Sequence, residues 1–375
     1  MSKIHPTIDP SGLLEYSVVF TDRSLNHMSQ QFQGIMRDLH DGLTSVYKAQ
    51  SCILVPGGGT FAMESVARQF ARDQSVLVIR NGWFSYRWTQ IFDQGVTPAH
   101  AEVARAIPDS EFADQQFSPV SVADLCQQIR HRKPAMVVAP HVETSAGLLL
   151  PDPYIQAVAE AAHEVGAIMV LDCVAAGALW IDMESLGVDV LITAPQKGWS
   201  STPCAGVVML SNRGLERMSA TESDSFALDL KKWHSIMDAY LQGGHAYHAT
   251  LPTDGLAQFQ QTYQEMAAVG FAEMKARQID LGQRVRRLIE DFGFKSLAAP
   301  GYQSPTVVVS HTTRDDIKTG SAFSALGLQI AAGVPLQCNE STDFKTFRIG
   351  LFGIDKLMHP DRTVEHLEHA LRQLS

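Results

Sequence analysis

Short runs of mainly apolar residues alternate with segments of helical periodicity between residues 51 and 210. The runs are apolar at both odd and even positions, which is typical of parallel strands that helices cover on both faces of a sheet. Strands that alternate with helices predict an α/β domain with right-handed crossovers. The predicted strands are residues 52–55, 76–79, 135–139, 167–171, 188–193 and 206–210.

The pattern changes after residue 256, where helical periodicity dominates. Residues 259–291 predict two helices, or one helix that is kinked near Gly270. The other predicted elements of this region are strands at 306–310 and 347–350 and a closing amphipathic helix at 364–374. The change in pattern predicts two domains after a short arm. The predicted units are an N-terminal arm of residues 1–14, a large domain of residues 15–270 and a small α+β domain of residues 271–375.

Composition and charge narrow the classes of function. The chain has 375 residues with 30 basic and 40 acidic side chains, a net charge of −10, which argues against a nucleic-acid partner. Residues 1–9 lack the pattern of a secretory signal, and the longest apolar run, 167–181, contains Asp172 and is shorter than the ~20 residues that span a bilayer. The cysteines are odd in number, are widely spaced and form no CxxC pair, so neither disulfides nor a metal site is expected. We therefore expect a cytoplasmic protein without a membrane partner.

A glycine turn follows the first predicted strand. In open α/β sheets ligands bind beyond the carboxyl ends of the strands, and residues 57–60 (GGGT) stand at such an end, just before a helix. Free amide groups at a helix N-terminus suit a phosphate, although the turn is also compatible with a plain strand-to-helix connection. With Ala62 it also fits the dinucleotide fingerprint, and Arg80 after the second strand leaves an NADP-binding oxidoreductase as an alternative.

Asp172 and Lys197 stand at the ends of two later predicted strands. A carboxylate at the end of an apolar strand needs a partner, either a helix N-terminus or a protonated pyridine nitrogen. A lysine can be an ordinary surface residue or can form a Schiff base. The glycine turn, the aspartate and the lysine, in that order, are the groups that a pyridoxal phosphate site requires for its phosphate, its ring nitrogen and its aldehyde.

From about residue 51 onward the sequence resembles the class V (fold type I) pyridoxal-phosphate aminotransferases, in particular the alanine–glyoxylate and serine–pyruvate group. Seven strings in the correct order carry the resemblance: GGGT at 57–60, NGWFSYR at 81–87, HVETSAG at 141–147, DCVA at 172–175, QK at 196–197, YHATLP at 247–252 and FRIG at 347–350. The resemblance implies a large domain with a mainly parallel central sheet covered by helices, and a smaller C-terminal α+β domain.

The resemblance also implies roles for individual residues. Phe84 would stack on the ring of pyridoxal 5'-phosphate, Asp172 would pair with its nitrogen, and Lys197 would form the Schiff base and act as the acid and base. The residues that the resemblance assigns to the cofactor are Gly58, Gly59, Thr60, Phe84, Thr144, Asp172, Gln196, Lys197, Tyr247 and Thr250. Tyr247 and Thr250 match positions that reach the phosphate of the neighbouring subunit, which implies a homodimer with shared active sites.

Arg348 matches the arginine that binds the substrate carboxylate. The implied reaction is a ping-pong transfer of an amino group from alanine or serine to glyoxylate or pyruvate. The alternatives are a 2-aminoethylphosphonate–pyruvate or a ureidoglycine–glyoxylate transaminase; a lyase or desulfurase is disfavoured because Cys338 has no supporting motif. A catalytically silent binding protein is disfavoured because both Asp172 and Lys197 are present. The atypical segment 13–21 and the long segment 333–345 leave the choice of donor and acceptor open.

Overall fold

The computed structural model describes residues 13–95, 98–112 and 114–374. A seven-stranded sheet forms the centre, with helices packed on it, and a three-stranded antiparallel sheet lies in the C-terminal part. The helices are α1 (Gln30–Tyr47), α2 (Gly59–Phe70), α3 (Trp83–Asp93), α4 (Val122–Arg132), α5 (Asp152–Glu164), α6 (Met183–Leu186), α7 (Asn212–Ser219), α8 (Leu230–Leu241), α9 (Thr253–Val269), α10 (Phe271–Asp291), α11 (Asp315–Thr319), α12 (Ser321–Ala325), α13 (Ile354–Met358) and α14 (Pro360–Leu374).

The strands are β1 (Ser51–Pro56), β2 (Ser75–Arg80), β3 (His100–Arg105), β4 (Ile107–Pro108), β5 (Phe117–Ser118), β6 (Met136–Pro140), β7 (Val142–Glu143), β8 (Leu148–Leu149), β9 (Ile168–Asp172), β10 (Val190–Thr193), β11 (Ala205–Leu210), β12 (Val307–His311), β13 (Ala331–Ala332) and β14 (Thr346–Gly350). The central sheet has the order β1-β11-β10-β9-β6-β2-β3, and the second sheet has the order β12-β14-β13.

The central sheet is mainly parallel, as the apolar runs predict. Strands β10, β9, β6, β2 and β3 pair in parallel, and β6 and β9 are buried along their whole length. The prediction of a parallel strand is wrong for β11, which pairs antiparallel with both β1 and β10. Strand β3 was not predicted: it is an edge strand with largely exposed polar side chains, so it lacks the apolar run of a covered strand.

The helices that flank the sheet begin and end where local chemistry dictates. Ser121 caps α4 by accepting a hydrogen bond from the amide of Asp124, and Lys133 ends that helix in the left-handed conformation. The long predicted helical stretch is two helices, α9 and α10, which meet at Gly270 with a φ of +100°. Residues 1–12 of the predicted arm lie outside the described residues, and the proposed division at residue 270 stays a prediction. No helix among the described residues is long and apolar enough to cross a lipid bilayer.

Candidate active site

The predicted chemical groups meet at one edge of the central sheet. Strands β2, β6, β9 and β10 are parallel, and β1 has the same direction because it is antiparallel to β11, which is antiparallel to β10. Their carboxyl ends therefore lie along one edge. Four parts of the predicted site lie at or directly after these ends: the glycine turn at 57–60, the segment 81–87, Asp172 and the Gln196-Lys197 pair.

The glycine turn leaves an open space in front of helix α2. Gly57 has a φ of +124°, and a Cβ atom there would lie 2.5 Å from the ring of Phe61, so only glycine fits. Gly58 is the N-cap of α2 and provides no side chain, so the first amides of the helix have no side-chain cap. A Cβ atom at Gly58 would find Nε2 of Gln196 at 3.9 Å, and Oε1 of that amide is buried without a hydrogen-bond partner among the described residues.

Phe84 lies at the centre of a group of cations. It is in the first turn of α3, and its ring centroid is 5.7 Å from Nζ of Lys197, 5.7 Å from Cζ of Arg348 and 5.1 Å from Cζ of Arg87. Nζ of Lys197 also lies 5.3 Å from the ring of Phe352. The structure thus brings together three of the predicted residues, which are separated by more than 260 positions of sequence between Phe84 and Arg348.

A buried carboxylate holds the helix that carries Phe84. Oε1 of Glu143 accepts a hydrogen bond from the amide of Phe84 (3.1 Å), and Oε2 accepts one from the amide of Ser85 (2.9 Å). The hydroxyls of Ser85 and Ser145 also donate to this carboxylate, each at 2.6 Å. A Cβ atom at Gly82 would collide with Oγ of Ser145 at 2.1 Å, so glycine is required for this close approach. A negative charge at a helix N-terminus is stabilised by the helix dipole.

Asp172 is buried and has few partners. Its Oδ1 accepts a hydrogen bond from the amide of Val174 at 3.0 Å. The pKa of Asp172 is raised from 3.8 to about 6: burial is the main cause, the nearby Glu143 contributes to the rise, and the Val174 amide and Lys197 oppose it. The carboxylate therefore favours a cationic partner that would restore its charged form.

Lys197 is a mainly buried amine among charged neighbours. Burial lowers the pKa of Lys197, Asp172 opposes that change, and Arg348 and Arg87 lower the pKa further. A lysine with a lowered pKa has a larger neutral fraction at physiological pH, and the neutral amine is the nucleophile in Schiff-base chemistry. The surroundings of Lys197 thus favour covalent chemistry.

Arg348 is anchored at one end and available at the other. It lies on β14, opposite Ala331 of β13, and its Nε donates to the carbonyl of Ala332 at 2.8 Å. Among the described residues, its two terminal nitrogens take part in no hydrogen bond or ion pair. Burial lowers the pKa of this guanidinium. The protein compensates its positive charge poorly, so the guanidinium would attract a negatively charged ligand.

Not every predicted residue lies in this group. Tyr247 is 53% exposed, its hydroxyl is 3.1 Å from that of Thr250, and no hydrogen bond or ring contact among the described residues joins either to Lys197. Thr144 is buried beside Glu143, and its side chain makes no hydrogen bond within the described residues. Thr60 is exposed, and its hydroxyl accepts a hydrogen bond from Nη1 of Arg87 at 2.8 Å.

Three residues that the sequence analysis assigned no role lie in or behind the site. Arg87 could have been found from its spacing, because residues three apart on a helix share a face and Phe84 is three positions before it. Glu143 stands inside the quoted string at 141–147, but its role as a cap depends on a contact across 58 positions to Ser85. Phe352 gives no local signal, because only the fold places its ring near Lys197.

The comparisons with known proteins identify the family of the chain. Residues 13–342 match the family model "Aminotransferase class-V". The chain is 29% identical over 360 residues to 2-aminoethylphosphonate–pyruvate transaminase 2 of Paraburkholderia xenovorans (strain LB400), with 94% of this chain and 90% of that protein covered. It is 30% identical over 309 residues to 2-aminoethylphosphonate–pyruvate transaminase of Paraburkholderia phymatum, with 80% of this chain and 77% of that protein covered.

The fold is also shared with a solved structure. The alanine–glyoxylate aminotransferase from Nostoc sp. superimposes with a TM-score of 0.77 at 22% identity, over 92% of this chain and 88% of that one. This likeness concerns the fold, whereas the family match covers most of the sequence. The chain belongs to the class-V aminotransferase family and is a pyridoxal 5'-phosphate-dependent aminotransferase of fold type I.

Proposed function

We propose that this enzyme transfers the amino group of alanine or serine to a small 2-oxo acid, glyoxylate or pyruvate. The observation that carries the proposal is the free end of Arg348, which lies at the same phenyl ring as Nζ of Lys197. A guanidinium can bind a carboxylate through two parallel hydrogen bonds. The α-carbon of a substrate held in this way would lie near the lysine amine.

The described residues fit the cofactor. The open space before the uncapped N-terminus of α2, with Gln196 beside it, suits a phosphate. The buried carboxylate of Asp172, which has a backbone amide as its partner on Oδ1, suits a protonated ring nitrogen. Phe84 is half-buried with its ring beside Nζ of Lys197, and it would stack on the cofactor ring. Gly58, Gly59 and Thr60 would contact the phosphate, and Thr144 would contact the ring substituents.

When bound, pyridoxal 5'-phosphate supplies an electron sink for the carbanion formed next to the amino nitrogen. Asp172 would hold the proton on the ring nitrogen, because an ionised carboxylate beside it stabilises that proton. Lys197 would bind the cofactor covalently. Once the amino donor displaces it, the free amine would move the proton between the two carbons of the transfer.

A second candidate donor is 2-aminoethylphosphonate. The relatives from the two Paraburkholderia species are named as transaminases of that compound and pyruvate. In this case the carboxylate bound by Arg348 would be that of the acceptor, and a phosphonate would still need a cation. Arg87, 5.1 Å from the Phe84 ring, is a further cation of the site.

We further propose that the enzyme is a homodimer with shared sites. Exposed apolar side chains support an interface, since Tyr16 is 88% exposed and Phe226 is 77% exposed. Tyr247 and Thr250 are exposed, and no hydrogen bond among the described residues joins either to Lys197, which suits a role in the partner's phosphate site. A reducing compartment such as the cytoplasm is supported by the cysteines, which are free and buried.

The donor can be identified from half-reactions of the purified enzyme with its cofactor. Each candidate amine (alanine, serine and 2-aminoethylphosphonate) is added without acceptor, and the visible absorbance band of the cofactor is followed. The true donor shifts the band at the highest kcat/KM. If 2-aminoethylphosphonate exceeds alanine and serine, the second candidate replaces the first; if no amine shifts the band, the proposed reaction is wrong.

The carboxylate site is tested with Arg348→Lys and, as a matched control, Arg284→Lys, which changes a half-buried arginine of α10 paired with Asp361. Loss of the two-point contact should lower kcat/KM of the 2-oxo acid half-reaction about a hundredfold, on the scale of roughly 1.5–3 kcal/mol for charged hydrogen bonds. With alanine or serine as donor, the amine half-reaction should fall equally. Arg284→Lys should leave both half-reactions unchanged, and an unchanged Arg348→Lys enzyme would show that the carboxylate binds elsewhere.

A further inference from the structure

A polar cavity lies between the edge of the central sheet and the loop at 333–345. It encloses about 530 Å³ and is separate from the residues grouped around Lys197. Its sheet side is formed by Arg80 and Arg105, which are partners in register at the carboxyl ends of β2 and β3. Lys318 of α11 and residues of the loop form the opposite side.

The three cations of this cavity form no ion pair with the described residues. Among the described residues, none of Arg80, Arg105 and Lys318 has a carboxylate oxygen within 4.0 Å. Glu340 also lines the cavity, but its carboxylate accepts hydrogen bonds from the amides of Leu336 (2.7 Å) and two further loop residues. Its charge therefore serves to hold the loop.

Arg80 is the most constrained of these cations. It is 6% exposed, its Nη2 donates to Oγ1 of Thr89 at 2.8 Å, and its guanidinium lies 4.6 Å from the ring centroid of Tyr86. Its Nε is buried and has no hydrogen-bond partner in the described ranges of the chain. Burial lowers the pKa of Arg80, and the charge of Arg105 lowers it further, so the two guanidinium groups repel each other. A buried charge that is compensated by neutral groups alone is costly.

The loop side of the cavity adds two hydroxyl groups that are also buried without a partner among the described residues. Oγ1 of Thr346 and Oγ of Ser341 are buried without hydrogen-bond partners in the described part of the chain, and both residues line the cavity. Thr346 is 1% exposed. Buried hydroxyls normally find an acceptor, so these two groups point to an acceptor that the protein itself does not provide.

The wall of the cavity is held in place at several points. Gln337 and Asn339 both adopt φ values of +63°, and Glu340 binds the amides between Leu336 and Cys338. Sγ of Cys338 contacts the carbonyl of Arg80 at 3.4 Å, which joins the loop to the end of β2. The cavity is therefore a feature of the folded chain with fixed walls, and its open space is large enough for a small ligand.

We propose that this cavity binds a small phosphate-like dianion between Arg80, Arg105 and Lys318, with the hydroxyls of Ser341 and Thr346 donating hydrogen bonds to it. Three cations with two hydroxyl donors match the charge and the several acceptor oxygens of a phosphate group. The group could be free phosphate or the phosphate of a small organic ester. Such a ligand would touch Arg80, which contacts Thr89 and Tyr86 of the same helix that carries Phe84.

Isothermal titration of the enzyme with its cofactor tests the proposal, because the cofactor then occupies the other phosphate site. Inorganic phosphate is titrated at constant ionic strength into the wild type, Arg105→Gln and Lys318→Gln. We expect each variant to weaken binding at least about tenfold, as the loss of one charged contact implies. Arg105 is exposed and Lys318 is half-buried, so both variants should fold, whereas Arg80 is too buried to be a clean choice.

Two comparisons make the result specific. Arg130→Gln removes an exposed arginine of α4 outside the cavity and should bind phosphate like the wild type. Arg348→Lys should also keep phosphate binding, since Arg348 does not line this cavity. Two results would overturn the proposal. One is that Arg348→Lys loses phosphate binding while Arg105→Gln and Lys318→Gln retain it. The other is that the wild type gives no heat of binding at ~10 mM phosphate.

The source of the phosphate group is distinguished by titrating glycerol 3-phosphate in the same way. If glycerol 3-phosphate binds at least about tenfold more tightly than inorganic phosphate, the ligand is an organic ester. If it binds equally or more weakly, the ligand is free phosphate. In either case, loss of the binding in Arg105→Gln supports the site. Ester binding that Arg105→Gln and Lys318→Gln leave unchanged would count against it.

Discussion

The buried carboxyl group of Asp172 requires a nearby positive charge to stabilise its ionised form. Its carboxylate accepts the Val174 amide, and burial holds its pKa near 6 when no cation occupies the adjacent space. We expect Asp172→Asn to bind the cofactor but to lose several orders of magnitude in kcat, because a neutral amide cannot stabilise a protonated ring nitrogen. Half-reaction rates and the cofactor Kd, measured on one preparation, check this expectation. An unchanged rate would mean that another acid serves the nitrogen.

The same substitution makes a prediction about stability and pH. The pKa of Asp172 in the folded protein lies above its ordinary value of 3.8, so ionisation destabilises the cofactor-free fold as pH rises through about 6. Asp172→Asn removes this effect. Without cofactor, the variant should equal the wild type near pH 3, below the ordinary pKa of 3.8, and exceed it by roughly 2–3 kcal/mol near pH 8, on the scale of about 1.4 kcal/mol per pKa unit. Urea unfolding at both pH values measures the difference.

At the scale of an element, the N-terminus of α3 determines where Phe84 lies. The carboxylate of Glu143 accepts hydrogen bonds from two helix amides and two serine hydroxyls. A glutamine side chain in its place would turn an NH2 group toward some of these donors. We expect Glu143→Gln to lower the free energy of unfolding by about 1–3 kcal/mol. We also expect a weaker cofactor affinity, because the displaced helix would move the stacking ring.

Ser121→Ala is the matched control for this prediction. It removes the cap of α4, which is worth about 1 kcal/mol, at a helix that carries none of the site residues. Urea unfolding should detect a loss in both variants, and absorbance titration of the cofactor should detect weaker binding in Glu143→Gln alone. Equal cofactor affinity in the two variants would reduce Glu143 to a stabilising cap without a role in positioning.

At the scale of the whole molecule, the proposed contact of Tyr247 and Thr250 with the phosphate of the neighbouring subunit predicts sites that two chains complete together. Lys197→Ala and Tyr247→Phe/Thr250→Val should each be impaired. After subunit exchange, half of the dimers should hold one intact site, so the mixture should regain about one quarter of the wild-type activity. Assays before and after exchange, with the oligomeric state followed by light scattering, measure the recovery.

A second mixture controls for this experiment. Lys197→Ala mixed with Asp172→Asn should show no recovery, because both groups belong to the site of one chain and no mixed dimer has an intact site. Recovery in this control, or a monomer in solution, would contradict the shared site. So would a lack of recovery in the first mixture after exchange has been demonstrated.

Local patterns were sufficient for most of the sheet and for the cofactor groups. A covered strand must be apolar on both faces, so its run is visible in the sequence, and polar residues directly after such runs must meet at the carboxyl edge of the sheet. The apolar runs of β6 and β9 are visible in the sequence for this reason, and Asp172 and Lys197, which come at the ends of such runs, interact in the folded chain. The break between α9 and α10 was visible because Gly270 interrupts a long helical period.

Other features depend on contacts that no local pattern encodes. The direction of β11 follows from its pairing with β1, because its burial would be the same in either direction. The polar edge strand β3 has only one partner in the sheet, so burial does not impose an apolar pattern on it. The contact of Glu143 with Ser85 and the contact of Arg80 with Cys338 join positions that are 58 and 258 residues apart. The sequence by itself thus determined the strands and the identity of the reactive groups, whereas the tertiary structure decided which charges remain unpaired.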